Sequence, residues 1–232
     1  MTIQKLRSIS KIALGICAIT ICTANANILP TLGTYISAST GAAFDKKSDT
    51  YMPAGYTMSN GSSVIDNAKQ FGMIEAAYGA RFSLPLGILS ASVEGFVNTL
   101  PGNANTKKAF TKSSESGEAG YAVPITYGVK ARIEKSVLFL FDIYVNAGLA
   151  WQRDTFEYDN YSTNTKVSET TTVPMWLVGL GIHKKFFKLG VFSEVNYYRG
   201  LSTSTVKLNV DNIQTDLRPQ RISAQVGIRY YF

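Results

Sequence analysis

The segment Phe139-Leu-Phe-Asp-Ile-Tyr-Val-Asn-Ala-Gly-Leu-Ala-Trp151 places Phe139, Phe141, Ile143, Val145, Ala147, Leu149 and Trp151 at every second position. Between them stand Leu140, Asp142, Tyr144, Asn146, Gly148 and Ala150. An apolar period of two is that of an extended strand with one face in an apolar medium, and it does not fit the 3.6-residue period of a helix. Its length also suits a tilted crossing of a bilayer, which takes about 9–11 residues in strand form. No stretch after residue 26 is long, apolar and uncharged enough to cross as a helix. Any crossing of a membrane must therefore be made by strands that close on one another.

The same alternation recurs along the chain and predicts eight strands. A first, about 34–44, shows it weakly. A second sets Ile74, Ala76, Tyr78, Ala80 and Phe82 against Glu75, Ala77, Gly79 and Arg81. In the third, Leu89, Ala91, Val93 and Val97 oppose Ser90, Ser92, Glu94 and Asn98. The fourth places Val123, Ile125, Tyr127, Val129, Ala131 and Ile133 opposite Thr126, Gly128, Lys130, Arg132 and Glu134. Phe139–Trp151 is the fifth. The sixth carries Trp176, Val178, Leu180 and Ile182 against Gly179, Gly181 and His183; the seventh carries Leu189, Val191, Val195 and Tyr197 against Gly190, Glu194 and Asn196. The eighth aligns Ile222, Ala224, Val226, Ile228, Tyr230 and Phe232 against Arg221, Ser223, Gln225, Gly227, Arg229 and Tyr231.

Connections alternate in length. Short ones lie near 85–87, 134–137 and 184–188, while long polar ones cover about 45–70, 99–121, 153–172 and 200–219. Short turns on one side and long loops on the other are the pattern of outer-membrane barrels, with the long loops extracellular. The long segments are rich in Ser, Thr, Asn, Gly and Lys, and are expected to be unstructured or mobile.

Lys5, Arg7 and Lys11 precede an uncharged apolar run, residues 12–22, and then Ala24-Asn25-Ala26. That order of basic, apolar and small residues is a secretory signal cleaved after Ala26, so residues 1–26 are expected to be a leader and 27–232 the barrel domain. Cys17 and Cys22 lie in the leader, so the barrel cannot depend on a disulfide or a thiolate metal site. Loss of the three leader cations lowers the formal net charge from +7 to +4. The remaining bases alternate with acids rather than clustering, which argues against a nucleic-acid partner.

A water-soluble barrel would show the same alternation with its apolar face turned inward. Its outer face would then need frequent charges, whereas the polar faces here are mostly Gly, Ser and Ala with isolated Glu75, Arg81, Glu94, Lys130, Arg132, Asp142, Glu194 and Arg229. Small residues with scattered acids and bases suit a tight lumen in which opposite charges pair. The end of the chain, Gln225-Val226-Gly227-Ile228-Arg229-Tyr230-Tyr231-Phe232, resembles the C-terminal signal that barrel assembly machinery recognises, through Gln225, Gly227, Tyr230 and Phe232. With this motif, the chain over about 34–232 resembles the opacity-protein and surface-antigen families of Gram-negative bacteria, which share the OmpA-type eight-stranded antiparallel transmembrane barrel. That resemblance implies outer-membrane lipid and the assembly machinery as partners, and exposed loops used in host-cell adhesion, immune exposure or limited pore activity, with a host-surface receptor or an environmental ligand as the loops' partner. A narrow porin is the alternative it leaves open.

No phosphate-binding loop, zinc helix or calcium-loop spacing occurs, so no cofactor or metal is expected. The single histidine, His183, precedes Lys184 and Lys185 beside a short turn, with no serine-and-acid constellation legible around it, and reads as a rim residue of a non-enzyme. Tyr78, Tyr127, Trp151, Trp176, Tyr197 and Tyr230 share the phase of the lipid face and read as interfacial girdles. Tyr51, Tyr56, Tyr158 and Tyr161 fall in the long segments, where exposed aromatic rings can anchor a partner.

The leader is checked by intact-mass spectrometry of protein taken from the outer membrane. The mature chain should begin at Asn27, and a product retaining Cys17 or Cys22 with acyl chains attached would contradict it.

Overall fold

The structure, a computed structural model, describes residues 31–46, 50–51, 57–58, 64–65, 69–83, 89–101, 108–112, 115–137, 141–202, 204–207 and 214–232. The expected leader, with Ala24 and Ala26, lies outside the described residues. Eight strands form the wall: β1 (Thr31–Lys46), β5 (Lys69–Ser83), β6 (Leu89–Thr99), β8 (Glu115–Val137), β9 (Phe141–Asn160), β10 (Thr165–Phe186), β11 (Leu189–Gly200) and β14 (Gln220–Tyr231). They are the eight segments that alternation predicts. Six short strands, β2 (Thr50–Tyr51), β3 (Thr57–Met58), β4 (Val64–Ile65), β7 (Lys108–Lys112), β12 (Ser204–Lys207) and β13 (Gln214–Leu217), belong to the long connections.

Each wall strand pairs antiparallel with the next one in the chain. The last then pairs with the first, from Tyr35 opposite Tyr231 to Lys46 opposite Gln220. The eight wall strands thus form a closed ring. In hydrocarbon an unpaired strand edge would leave amides and carbonyls with no water to bond, so closure is the condition for spanning.

Burial runs opposite to that of a water-soluble protein. Val145 and Leu180 are 60% and 64% exposed on the outer face, while Lys130 and Glu194 are 1% exposed inside. An outer face of Ile, Leu, Val and Phe around a charged interior is stable only against lipid. The chain therefore folds as a membrane-spanning β-barrel. Aromatic rings band the outer face in contact with one another: Tyr127 stacks on Trp151 with centroids 6.0 Å apart, Trp176 meets Tyr197 edge-on at 5.4 Å, and Tyr230 meets Phe232 edge-on at 5.4 Å.

One expectation is corrected. The connection 153–172 is not an unstructured loop: β9 continues to Asn160, β10 begins at Thr165, and only Tyr161–Asn164 turn between them. Similarly, 115–121 forms the first part of β8. The physical reason is that Phe156 and Tyr158, together with Thr170–Thr172, supply β-favouring side chains and an alternating buried face. Their frequent polar neighbours conceal that pattern. Asn160 closes the hairpin by accepting from the backbone N–H of Ser162 and Thr163, and Asn164 takes the left-handed φ of 52° that Asn tolerates.

Removing Tyr230–Phe232 takes away the end of β14, with the Tyr230 pairs to β1 and β11, the Tyr231 pair to β1, and the bonds from the Tyr231 N–H to the Lys188 carbonyl and from the Phe232 N–H to the Thr34 carbonyl. The yield of folded, heat-modifiable barrel on a gel should fall sharply. An unchanged yield would contradict the closure argument.

Candidate functional site

Inside the ring, the polar faces of the strands meet at short range, and glycines make this possible. A Cβ on Gly79 would lie 2.5 Å from the Tyr35 ring, and one on Gly181 would lie 2.4 Å from the Tyr144 ring. These two strands give up side chains so that a neighbour's phenol can cross the lumen.

The centre of the lumen is a cage around Lys130. Its Nζ lies 3.0 Å from Glu75 Oε1, 3.0 Å from Glu94 Oε1 and 2.9 Å from Glu194 Oε1, so β8 is tied to β5, β6 and β11 at a single atom. Arg132, one inward position further on, donates Nη2 to Glu194 Oε2 at 2.8 Å and places Nη1 3.4 Å from Glu94 Oε2. Tyr35 donates to Glu94 and Tyr144 to Glu194, each at 2.9 Å. Gln225 donates to Glu75 and Glu194 at 3.2 Å, and Asn196 donates to Glu194 at 2.6 Å. The guanidinium of Arg132 also lies over the Tyr144 ring, 4.4 Å from its centroid. Burial of so many charges is tolerable only because each finds opposite charge and hydrogen bonds at once.

Two further layers flank the cage. Toward the short turns, Arg229 contacts Glu134 at 3.4 Å and Glu94 at 3.7 Å, with its guanidinium 4.5 Å from the centre of the Tyr35 ring. Arg81 holds Glu134 at 2.9 Å and Asp142 at 3.7 Å. Toward the long connections, Arg221 donates to Gln152 at 2.6 Å, Thr126 at 3.1 Å and Asn98 at 3.4 Å. Between the cage and Arg221, Met175, Leu177, Phe96 and Tyr198 pack together, Phe96 with its ring centre 5.1 Å from the Lys130 ammonium and Tyr198 with its ring centre 5.7 Å from the Arg221 guanidinium, and Met73 packs against Leu100 and Ala43.

Of the charged residues singled out in the sequence, Glu75, Glu94, Lys130, Arg132, Glu194 and Arg229 are thus buried together, whereas Arg81 and Asp142 are 17% and 18% exposed at the turn end. Glu134 and Arg221 belong to the same network and were readable only as members of the polar face of their strands. Of the terminal motif, Gln225 points into the cage, Tyr230 faces lipid, and Gly227 lets Phe192 approach its backbone.

His183 is not a free rim residue. It is 1% exposed, its Nε2 lies 3.0 Å from the Tyr231 hydroxyl and its Nδ1 lies 3.5 Å from Asp142 Oδ2. Signals for this were absent because the three residues are far apart in the chain. Glu134, Asp142 and His183 bring three potential metal-ligand atoms within 4.8 Å of one another. Both carboxylates are already engaged by Arg81, and Glu134 by Arg229 as well, so a cation there would have to displace a guanidinium. Tyr231 is 5% exposed and His183 less, which leaves a substrate no approach to this histidine.

The other candidate surface is the projection of the wall. β8, β9 and β10 run for 23, 20 and 22 residues, against 11 for β6 and 12 for β11 and β14. The excess is about ten residues, or roughly 30 Å of strand beyond the bilayer. Its outer face is polar: Lys166 pairs with Asp159 at 3.8 Å, and the Thr155 and Thr170 hydroxyls meet at 3.2 Å. Tyr161, at its tip, is 59% exposed.

No known protein family matches the chain, and no curated protein does. Similar solved structures include Neisserial surface protein A, at 15% identity over 86% of this chain and 97% of that one with a TM-score of 0.42. Ail, the attachment invasion locus protein of Yersinia pestis, in complex with the heparin analogue sucrose octasulfate, has 14% identity over 86% and 99% with a TM-score of 0.41. The outer membrane protein OprG of Pseudomonas aeruginosa has 8% identity over 86% and 96% with a TM-score of 0.49.

Substituting Lys130→Met leaves Glu75, Glu94 and Glu194 facing one another without their shared cation. Removal of one partner from a buried ion pair costs about 3–5 kcal/mol, and urea unfolding of the refolded barrel should register a loss of that order. Lys130→Arg should lose less. The unmodified barrel in a planar bilayer should conduct little or nothing, since an eight-stranded interior is only wide enough for side chains to fill. A large, steady conductance, or a Lys130→Met barrel as stable as the parent, would refute the closed-lumen account.

Proposed function

We propose that this eight-stranded outer-membrane barrel is a surface interaction protein whose extracellular parts, the β8–β9–β10 projection foremost, bind a ligand on a host or in the surroundings. The observation that carries this reading is the contrast between the two ends of β9. Within the bilayer its inward residues Tyr144 and Asn146 are locked into lumen contacts; beyond the bilayer its outward residues become the polar, half-buried Thr155, Glu157 and Asp159, beside the exposed Lys166, Ser168 and Thr170 of β10, a polar face that no lumen contact requires. Rigid strands carrying exposed hydroxyls, paired charges and an aromatic tip present a surface at low entropic cost, which is what a binding face needs. The proposal includes no catalytic step and no cofactor. Its partners are the surrounding lipid, the assembly machinery that inserts the barrel, and the receptor met by the loops.

A narrow porin is the second reading, and the filled lumen weighs against it. Lys130 and its three carboxylates stand where a solute would have to pass.

Replacing residues 155–170 by a two-residue Asn-Gly turn shortens β9 and β10 to near the length of β1 and β5 while leaving the lumen layers in place. Cells displaying this variant should carry normal amounts of heat-modifiable barrel and lose adherence to host cells or extracellular matrix relative to cells displaying the parent. Undiminished adherence with the shortened barrel on the surface would sink the assignment to this projection.

A further inference from the structure

Above the bilayer the two flanks of the projecting sheet end differently. On one flank the sheet continues past β8: β7 pairs with it from Lys108 opposite Ala119 to Lys112 opposite Glu115, and β3 pairs with β7 in turn. On the other flank β10 pairs with β9 from Thr165 opposite Asn160 to His183 opposite Asp142, but with β11 only from Met175 opposite Gly200. Among the described residues, no strand bonds to the outer side of residues 165–173. The hairpin β12–β13 stands beside β10, yet among those residues β12 pairs with β13 alone.

Pro174 explains where the ladder to β11 ends. The Leu201 N–H donates to the Pro174 carbonyl at 2.9 Å, so residue 174 turns its backbone toward the β11 side, where a proline has no N–H to return the bond. Alternate residues of a strand turn their N–H and C=O to the same side, and the register to β9 runs without a bulge from Thr165 onward. Lys166, Ser168, Thr170 and Thr172 therefore present backbone donors and acceptors at the open flank, and each is exposed. The residues between them turn theirs to β9.

Open strand edges in water are normally blunted by proline, by a bulge or by a lysine aimed along the edge. Residues 165–173 hold no proline and no bulge, and their one lysine, Lys166, leans over β9 to Asp159 at 3.8 Å. Val167, Thr170, Thr171, Thr172 and Val173 are β-branched, which favours the extended form. A straight, unblunted ladder edge is complementary to one chemistry: the backbone of an extended polypeptide, which can join the sheet as its next strand.

We propose that the open edge of β10, residues 165–172, binds an extended segment of a partner protein by strand addition, in line with β11 below it. The proposal rests on the reading of the projection as the binding part of the molecule and names the chemistry of its partner. Main-chain amides give the affinity, and β-branched or aromatic side chains of the segment pack beside Ser168, Thr170 and Thr172.

The probe is a random phage library of peptides of about ten residues, the upper length of an ordinary strand. It is depleted on empty lipid nanodiscs and selected on the full barrel refolded in the same nanodiscs. Selected peptides, made synthetically and measured by fluorescence polarisation, should alternate β-branched or aromatic residues with polar ones. Ser168→Pro and Thr170→Pro each remove an edge N–H while sparing the bonds to β9, and each should weaken binding roughly tenfold, the worth of a hydrogen bond or two. Ser168→Ala and Thr170→Val keep the backbone and should change binding little. Heat-modifiable migration shows separately that each variant is a barrel. N-methylation of alternate peptide residues removes the same bonds from the other partner, and in one of its two phases it should abolish binding to the unmodified barrel whether or not the proline variants fold. A selection that enriches no peptide would overturn the proposal, as would peptides whose binding survives both proline substitutions or both phases of N-methylation. Adherence of displaying cells separates the two readings. Adherence lost on replacing 155–170 but kept in both proline variants overturns strand addition and leaves the projection as the binding part. Peptide binding at the edge, with adherence undiminished by that replacement, supports strand addition and removes the role in adherence.

Discussion

Everything in this molecule depends on the pairing of β14 with β1. A sheet in hydrocarbon has no water with which to satisfy its edges, and each unpaired backbone group there costs several kcal/mol, so an open eight-stranded sheet is not a stable intermediate form of the barrel but a different and far less favourable object. Ring closure sets the number of strands, and the number of strands sets the width of the interior. That width explains the inward residues. Where the wall is narrowest against a large side chain, the facing position is glycine, as Gly79 faces Tyr35 and Gly181 faces Tyr144.

The interior is a set of charges gathered under unusual conditions. Each carboxylate taken from water incurs a large desolvation cost, and pairwise attraction alone repays it poorly unless geometry and additional hydrogen bonds are good. Here one ammonium meets three carboxylates from three other strands, and the carboxylates accept further bonds from Tyr35, Tyr144, Asn196 and Gln225. A network of this kind does more than neutralise charge. A strand shifted by one residue would turn its charges into lipid and its leucines into the cage, so the cage and the lipid belt specify the same register from opposite sides of the wall. An apolar group of Met175, Leu177 and Tyr198 packs between Lys130 and Arg221, and past Arg221 the buried Asp154 accepts from Gln152. The lumen is thus filled along its length by two different kinds of contact.

The two ends of the barrel then diverge in character. At the turn end, the connections are short, the inward acids are tied to arginines, and the outward positions hold lysines among aromatic rings. At the other end, the strands of one side simply continue, so that a single sheet passes from lipid into water. Its outer side chains change accordingly from Val145 and Leu149 to Thr155, Glu157 and Asp159 along β9. The same backbone ladder supports both surfaces, and only the solvent outside it differs.

Much of this was legible in the sequence because a strand in a bilayer obeys one simple rule. Phe141, Ile143, Val145, Leu149 and Trp151 must meet lipid, the intervening residues must not, and that alternation alone determined the eight wall strands, their phase and the inward set that includes Glu75, Glu94, Lys130, Arg132, Glu194 and Arg229. Where the medium changed to water the rule lost its contrast, and so β9 and β10 beyond residue 152 read as loop although Phe156 and Tyr158 keep the alternation on the buried face. Tertiary structure alone decided which charges meet. Lys130 and its three glutamates lie on four strands, and His183, Asp142 and Tyr231 on three, so their contacts depend on the stagger between strands around the ring. Phase is a property of one strand and is written in its own residues; stagger is a property of the closed barrel, created only when the last strand finds the first.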